Sequence, residues 1–150
     1  MQKKISSKIG TLYLVASNKG LQGIFWNKQP APMLDSKILL QCEQQLTEYL
    51  DGKKKNFNIP LDIIGTEFQK LVWQELAKIP YGVTKSYKDI AIAINNKNAC
   101  RAVGNANGKN PIAIIIPCHR VIAANGTIGG YAGGLAIKRK LLKCENINIK

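Results

Sequence analysis

The sequence contains few of the residues that bind metal ions. It has a single histidine, His119, and its four cysteines, Cys42, Cys100, Cys118 and Cys144, show no CxxC or other paired spacing. A structural zinc site needs several thiolate or imidazole ligands at regular spacing, and a disulfide framework needs paired cysteines. We therefore predict no metal, no cofactor and no disulfide framework, which fits a reducing cytoplasm.

Long apolar runs are also missing. No stretch approaches the ~18 apolar residues that a membrane-spanning helix needs. The opening residues, MQKKISSKIG, contain no apolar core of a secretory signal. We therefore expect a cytoplasmic protein with no membrane partner.

Acidic residues are scarce, because 9 Asp and Glu stand against 22 Lys and Arg, which gives a net charge of +13. A surface this basic favours a polyanionic partner, either nucleic acid or an anionic membrane surface. A lysine-rich soluble surface explains the charge equally well. The 150 residues, of which 45% are hydrophobic, can form one ordinary domain or two small ones that share a core.

Residues 1–60 predict a small α/β domain. Two β-prone runs, residues 9–17 and 21–26, flank the turn sequence Asn18-Lys19-Gly20. Asp35 can cap a helix that ends at Gly52. Nothing in this half indicates a chemical function.

Residues 61–150 predict a mostly helical domain. Thr66 and Ser86 each open a capping-box pattern, and a third helix carries an inward stripe of Ala99, Ala102, Val103 and Ala106. The helix that follows Ser86 and the third helix have the spacing of a helix-turn-helix, in which Arg101, Asn105 and Lys109 face outward. An ordinary helical hairpin with a solvated polar face gives the same pattern.

The segment PIAIIIPCHRV, residues 111–121, is predicted as a buried strand that ends at Cys118 and His119. Neighbouring side chains of a strand point to opposite faces, so Pro117 must introduce a turn, or a water must bridge, before the two can interact. A nucleophilic cysteine activated by a base fits the pair. A buried structural cysteine fits the spacing equally well.

Four stretches together resemble one family, the O6-alkylguanine-DNA alkyltransferases, also called methylated-DNA–protein-cysteine methyltransferases. The stretches are SNKGLQGIFW, GTEFQKLVWQELAKIPYGVTKSYKDIA, RAVGNANGKNPIAIIIPCHRV and GGYAGGLAIKRKLLKCE. The similarity is strong over residues 60–146 and weaker before them. It implies a small N-terminal α/β domain of ribonuclease-H-like fold and a helical C-terminal domain of winged-helix type.

The resemblance implies single-turnover repair of double-stranded DNA by a monomer. The protein would flip out an O6-alkylguanine, with O4-alkylthymine as a further substrate, and transfer the alkyl group to its own cysteine. The implied catalytic residues are Cys118 as acceptor, His119 as base acting through a water, Glu145 orienting His119, Asn110 holding the turn and Tyr87 as proton donor.

The resemblance also implies two sets of contact residues. Arg101 would fill the gap left by the flipped base. The DNA contacts would come from Arg101, Ala102, Asn105, Lys109, Tyr87 and Arg120. The guanine pocket would be lined by Val121, Tyr131 and Ala132.

Three other functions use parts of the same pattern. An alkyltransferase-like damage sensor shares the fold but lacks the acceptor cysteine that Cys118 provides. A helix-turn-helix regulator explains the charge and the helices but leaves Cys118 and His119 without a role. A Cys-His hydrolase would act on an acyl substrate, and the sequence shows no clear oxyanion-hole signature.

Overall fold

The computed structural model describes residues 1–149 and divides into two compact units. The first unit contains Met1–Ile64 and Pro111–Ala113, and the second contains Gly65–Asn110 and the chain from Ile114 onward. The sequence places the boundary after residue 60 and gives no sign that the chain returns to the first unit at Pro111–Ala113.

The first unit is a three-stranded antiparallel sheet with one helix. The sheet order is β1 (Gln2–Ser7), β2 (Gly10–Ala16) and β3 (Leu21–Phe25), and the helix is α1 (Lys37–Leu50). Along β2, Leu12, Leu14 and Ala16 alternate with more exposed residues and are buried. This architecture confirms the predicted α/β character of the N-terminal part.

Two details of this unit differ from the sequence prediction. Strand β1 was not predicted, because its sequence QKKISS has only one large apolar residue, Ile5. Helix α1 is capped by Ser36, whose side chain accepts a hydrogen bond from the Leu39 amide, rather than by Asp35. Asp35 instead forms an ion pair with Lys3.

The second unit is mostly helical, as predicted. Its elements are α2 (Glu67–Ala77), β4 (Lys85–Ser86), α3 (Tyr87–Ala93), α4 (Cys100–Gly108), β5 (Val121–Ile122) and α5 (Leu135–Cys144). Both capping boxes form: Thr66 pairs with Gln69, and Ser86 pairs with Asp89. Strands β4 and β5 pair in parallel and connect the start of α3 to the segment that follows the cysteine.

Helices α3 and α4 form the helix-turn-helix. Asn95 adopts φ +59° between them, a left-handed conformation that asparagine tolerates. On α4, Val103 and Ala106 are buried, whereas Ala102 is exposed rather than inward-facing. The Trp73 indole of α2 donates a hydrogen bond to the Ala106 carbonyl, so the end of α4 is fixed to the core of this unit.

The prediction that residues 111–121 form a buried strand is wrong. Ile112 makes one isolated parallel bridge to Ile24, and the chain then turns. Ile114 has φ +74°, a conformation in which a β-branched residue is strained by roughly 1–3 kcal/mol. Ile112, Ile114 and Ile116 are therefore buried in a turn, which the apolar run alone does not distinguish from a strand.

No helix within residues 1–149 is long and apolar enough to cross a membrane.

Candidate active site

Cys118 begins a short 3₁₀ turn, Cys118–Arg120, which we call the cysteine turn. Pro117 precedes it with φ −81° and ψ 63°, the geometry of an inverse γ-turn, and the Cys118 amide donates to the Ile116 carbonyl at 2.8 Å. The Asn110 Nδ2 donates to the same carbonyl at 2.8 Å. Asn110 thus makes the contact that its predicted role in holding the turn requires.

The Cys118 thiol is buried among polar groups. Burial raises its pKa, and a hydrogen bond with Asn110, the positive charge of Lys138 and a hydrogen bond with Tyr131 act in the opposite direction. A thiol in this environment needs a nearby base to become a nucleophile at neutral pH.

His119 and Glu145 form a buried pair, with His119 Nε2 2.8 Å from Glu145 Oε2. Burial would raise the pKa of Glu145, but hydrogen bonds from His119, Arg120 and the Gly82 amide outweigh it and hold the pKa at about 2. An ionised carboxylate only accepts hydrogen bonds, so Nε2 carries the proton. Burial also lowers the pKa of His119, so its imidazole is neutral at pH 7.

Arg120 has a different place from the one predicted. Its Nε and Nη2 atoms donate to the Glu145 carboxylate at 2.9–3.2 Å, and its Nη1 donates to the Ile79 carbonyl at 2.6 Å. The side chain is buried. The prediction that Arg120 contacts DNA is therefore wrong, because its donors are directed into the protein.

Tyr87, the first residue of α3, is half-buried beside residues 129–134, which we call the glycine-rich loop. Burial raises the pKa of its hydroxyl, and a hydrogen bond with the Gly130 backbone acts against this shift. Gly129 has φ +72°, and a Cβ atom there would lie 3.1 Å from the Tyr87 hydroxyl. The loop therefore needs glycine at position 129 for both its conformation and its approach to Tyr87.

Lys138 is a site residue that the sequence analysis missed. Its side chain is fully buried on α5, and Nζ donates to the Val121 carbonyl at 2.7 Å and the Gly130 carbonyl at 2.9 Å. Burial lowers its pKa to about 8, and the negative charge of the Cys118 thiolate opposes this shift. The sequence signal that could have indicated its burial is the spacing of Lys138 from Leu141 and Leu142, which places all three on the same, buried face of α5.

The residues predicted to contact DNA on α4 lie on its exposed side. These are Arg101, Ala102, Asn105 and Lys109. A basic side chain at the start of the helix and another just beyond its end are suited to phosphate contacts.

The three predicted pocket residues differ in burial. Val121 is fully buried directly after the cysteine turn, Tyr131 is half-buried and interacts with the thiol, and Ala132 is exposed. The Val121 carbonyl already accepts a hydrogen bond from Lys138, which fixes its direction.

The site contains a buried thiol, a neutral imidazole held by an ionised carboxylate, a tyrosine hydroxyl and a buried ammonium. Among residues 1–149, no group of three or more His, Cys, Asp or Glu side chains is placed to hold a metal ion. The arrangement suits nucleophilic attack by sulfur with proton transfer to and from neighbouring side chains.

Two family models match nearly the whole chain. Residues 2–63 match the ribonuclease-like domain of 6-O-methylguanine DNA methyltransferase, and residues 67–147 match the DNA binding domain of the same family.

Individual proteins are similar along the same length. A methylated-DNA–protein-cysteine methyltransferase of Methanosarcina barkeri is 46% identical and is matched over 97% of each chain. The inducible methylated-DNA–protein-cysteine methyltransferase of Bacillus subtilis is 45% identical over 91% of this chain and 79% of its own. The crystal structure of Mycobacterium tuberculosis OGT in complex with DNA is similar with a TM-score of 0.90 and 42% identity, covering 97% of this chain and 92% of that one.

Proposed function

Because the chain belongs to the 6-O-methylguanine DNA methyltransferase family, we propose that it repairs DNA by moving the alkyl group of O6-alkylguanine onto Cys118. The observation that carries this assignment is the buried cysteine turn, in which Cys118 is followed by His119, whose imidazole is paired with the ionised Glu145 carboxylate. O4-alkylthymine is a second substrate of the same chemistry.

The reaction is a displacement at the alkyl carbon. The Cys118 sulfur forms a new C–S bond while the bond between that carbon and guanine O6 breaks, and the guanine leaves with the bonding electrons. The Tyr87 hydroxyl, half-buried near Cys118, supplies a hydrogen bond or proton to the leaving guanine. The product is a thioether with no carbonyl that water can attack, so each molecule reacts once.

His119 removes the thiol proton. Glu145 engages Nε2, so Nδ1 is the nitrogen that we assign to accept the proton, through a water molecule. The resulting imidazolium is stabilised by the adjacent carboxylate. Lys138 stabilises the thiolate from a second direction, since its charge lowers the pKa of Cys118.

DNA binds along the exposed side of α4. A net charge of +13 supports association with the phosphate backbone, which carries no sequence information. We propose that Arg101 fills the gap left by the flipped base, and that Val121, Tyr131 and Ala132 contact the guanine. The protein acts as a monomer in the cytoplasm, and residues 61–150 carry both DNA binding and chemistry.

A titration tests this function. Increasing amounts of a duplex containing one O6-methylguanine are added to a fixed amount of protein, and unmodified guanine is counted in the DNA after digestion. We expect one guanine restored per protein molecule and none with Cys118→Ser. Restoration of many guanines per molecule, or full activity of Cys118→Ser, would refute the proposal.

A further inference from the structure

Two asparagines near the end of α4 reach the backbone around Cys118. The Asn110 Nδ2 donates to the Ile116 carbonyl at 2.8 Å, and the Asn107 Nδ2 donates to the carbonyl of Cys118 itself at 3.5 Å. The Asn107 side chain is buried and only 4% exposed. Asn107 thus joins α4, the helix that carries the predicted DNA contacts, directly to the backbone of Cys118.

Folding stability does not account for Asn107. Its Oδ1 is buried and has no hydrogen-bond partner within residues 1–149, which destabilises a fold by roughly 1–3 kcal/mol. An apolar side chain of similar volume would fill the same space without this penalty. The amide therefore contributes something to Cys118 that packing alone does not.

The exposed side of α4, which carries the predicted DNA contacts, indicates that Asn107 links DNA binding to the position of Cys118. Arg101, Asn105 and Lys109 are exposed on the same helix, so a small shift of α4 moves these residues and Asn107 together. A separation of 3.5 Å is at the long end of the hydrogen-bond range, and a shift of a few tenths of an ångström would shorten it to an ordinary length.

We propose that Asn107 is a positioning residue that couples the seating of α4 on DNA to the position of Cys118. When DNA binds to the exposed side of α4 and shifts the helix, the hydrogen bond from the Asn107 amide to the Cys118 carbonyl shortens. This contact then fixes the position of Cys118 for attack. This inference rests on the proposed alkyl transfer, and it concerns a residue whose contact is with the backbone carbonyl of Cys118.

The experiment compares two substrates. Single-turnover rate constants are measured for transfer from O6-methylguanine in saturating duplex DNA and from the free base O6-benzylguanine, which has no phosphate backbone to seat α4. The variants are Asn107→Leu and, because a larger side chain can disturb folding, Asn107→Ala. Asn56→Leu, at an exposed position of the first unit, is the matched control, and urea unfolding and duplex affinity are measured for each variant.

Loss of the Asn107 contact is expected to slow transfer from saturating DNA by about tenfold, the effect of losing one hydrogen bond that positions the acceptor. Transfer from the free base and the Asn56→Leu rates should be unchanged, and duplex affinity of the Asn107 variants should fall by no more than the same factor, because the coupling is reciprocal. Equal rates on DNA for wild type and both variants, or equal slowing on the two substrates, would overturn the coupling. A wild-type chain that transfers nothing from either substrate would instead refute the proposed function.

Discussion

His119 Nε2 lies 2.8 Å from Glu145 Oε2, and both side chains are completely shielded from solvent. The carboxylate also accepts hydrogen bonds from Arg120 and the Gly82 amide, so it stays ionised in the protein interior. The imidazole tautomer is therefore fixed before DNA binds.

The first prediction concerns the pH dependence of transfer. Burial lowers the pKa of His119 below its ordinary value of 6.5, so the neutral base is the main form at and above that pH. The single-turnover rate constant should not decline as pH falls from about 8 to about 6.5, and it should decrease only at lower pH. The His119→Asn variant should be slower by about a hundredfold and lose this acid limb. A decrease with a midpoint above 6.5 would contradict the assignment.

The second prediction concerns stability. Glu145→Gln removes the partner of the buried Arg120 guanidinium and should lower the free energy of unfolding at pH 7 by about 3–5 kcal/mol. The folded-state pKa of Glu145, about 2, lies below its ordinary 4.5, so its contribution is present above pH 4.5 and is lost as pH falls towards 2. Urea unfolding should thus show a gap between variant and wild type that narrows below pH 4.5.

The matched control for this experiment is Glu67→Gln. Glu67 is exposed in the first turn of α2, so its replacement should change stability by less than about 1 kcal/mol. An effect of Glu145→Gln as small as that of the control would show that the carboxylate does not stabilise the buried site.

The third prediction concerns Lys138. Replacing it with methionine removes the charge that lowers the pKa of Cys118, so the thiol should react with iodoacetamide only at higher pH. Alkyl transfer at pH 7 should slow by about tenfold for each unit by which the thiol pKa rises, because the negative charge that develops on sulfur as His119 takes the proton loses a stabilising cation. Lys140→Met, at an exposed position two residues along α5, should leave both measurements unchanged. An unchanged iodoacetamide profile for Lys138→Met would contradict this role.

The fourth prediction concerns the glycine-rich loop. Gly129→Ala adds a methyl group 3.1 Å from the Tyr87 hydroxyl at a position with φ +72°, so we expect a loss of roughly 1–3 kcal/mol in stability and slower transfer. A Cβ atom at Gly130 meets nothing within 4 Å, so Gly130→Ala is a control with the same chemical change. Similar behaviour of the two variants would mean that the loop does not position Tyr87.

The fifth prediction concerns Arg101. Flipping a base costs a few kcal/mol, so Arg101→Ala should slow transfer from duplex DNA by at least about tenfold. The reaction of Cys118 with iodoacetamide should not change, because Arg101 is exposed on α4, away from the cysteine turn. Arg139→Ala, an exposed arginine of α5, serves as the control for lost charge. Transfer by Arg101→Ala at the wild-type rate would exclude a role in base flipping.

The sequence predicted those parts of the fold that depend on local chemistry. The Thr66 and Ser86 capping boxes each depend on hydrogen bonds within a few residues. These interactions are readable without knowledge of the tertiary structure.

The sequence failed where distant residues determine the outcome. Arg120 pairs with Glu145, 25 positions later in the chain, and this pairing turns the arginine away from solvent. Lys138 is buried because the Val121 and Gly130 carbonyls accept its hydrogen bonds. The run of isoleucines forms a turn because Asn110 and the strained Ile114 fold it back, which hydrophobicity does not encode.

The most direct test of the account is the intact mass of the protein after reaction with an excess of duplex DNA containing one O6-methylguanine. The account predicts a gain of one methyl group and no more, which peptide mapping assigns to Cys118 rather than to Cys42, Cys100 or Cys144. A protein that binds the duplex without gaining mass, or one that carries the methyl group on another residue, would contradict it.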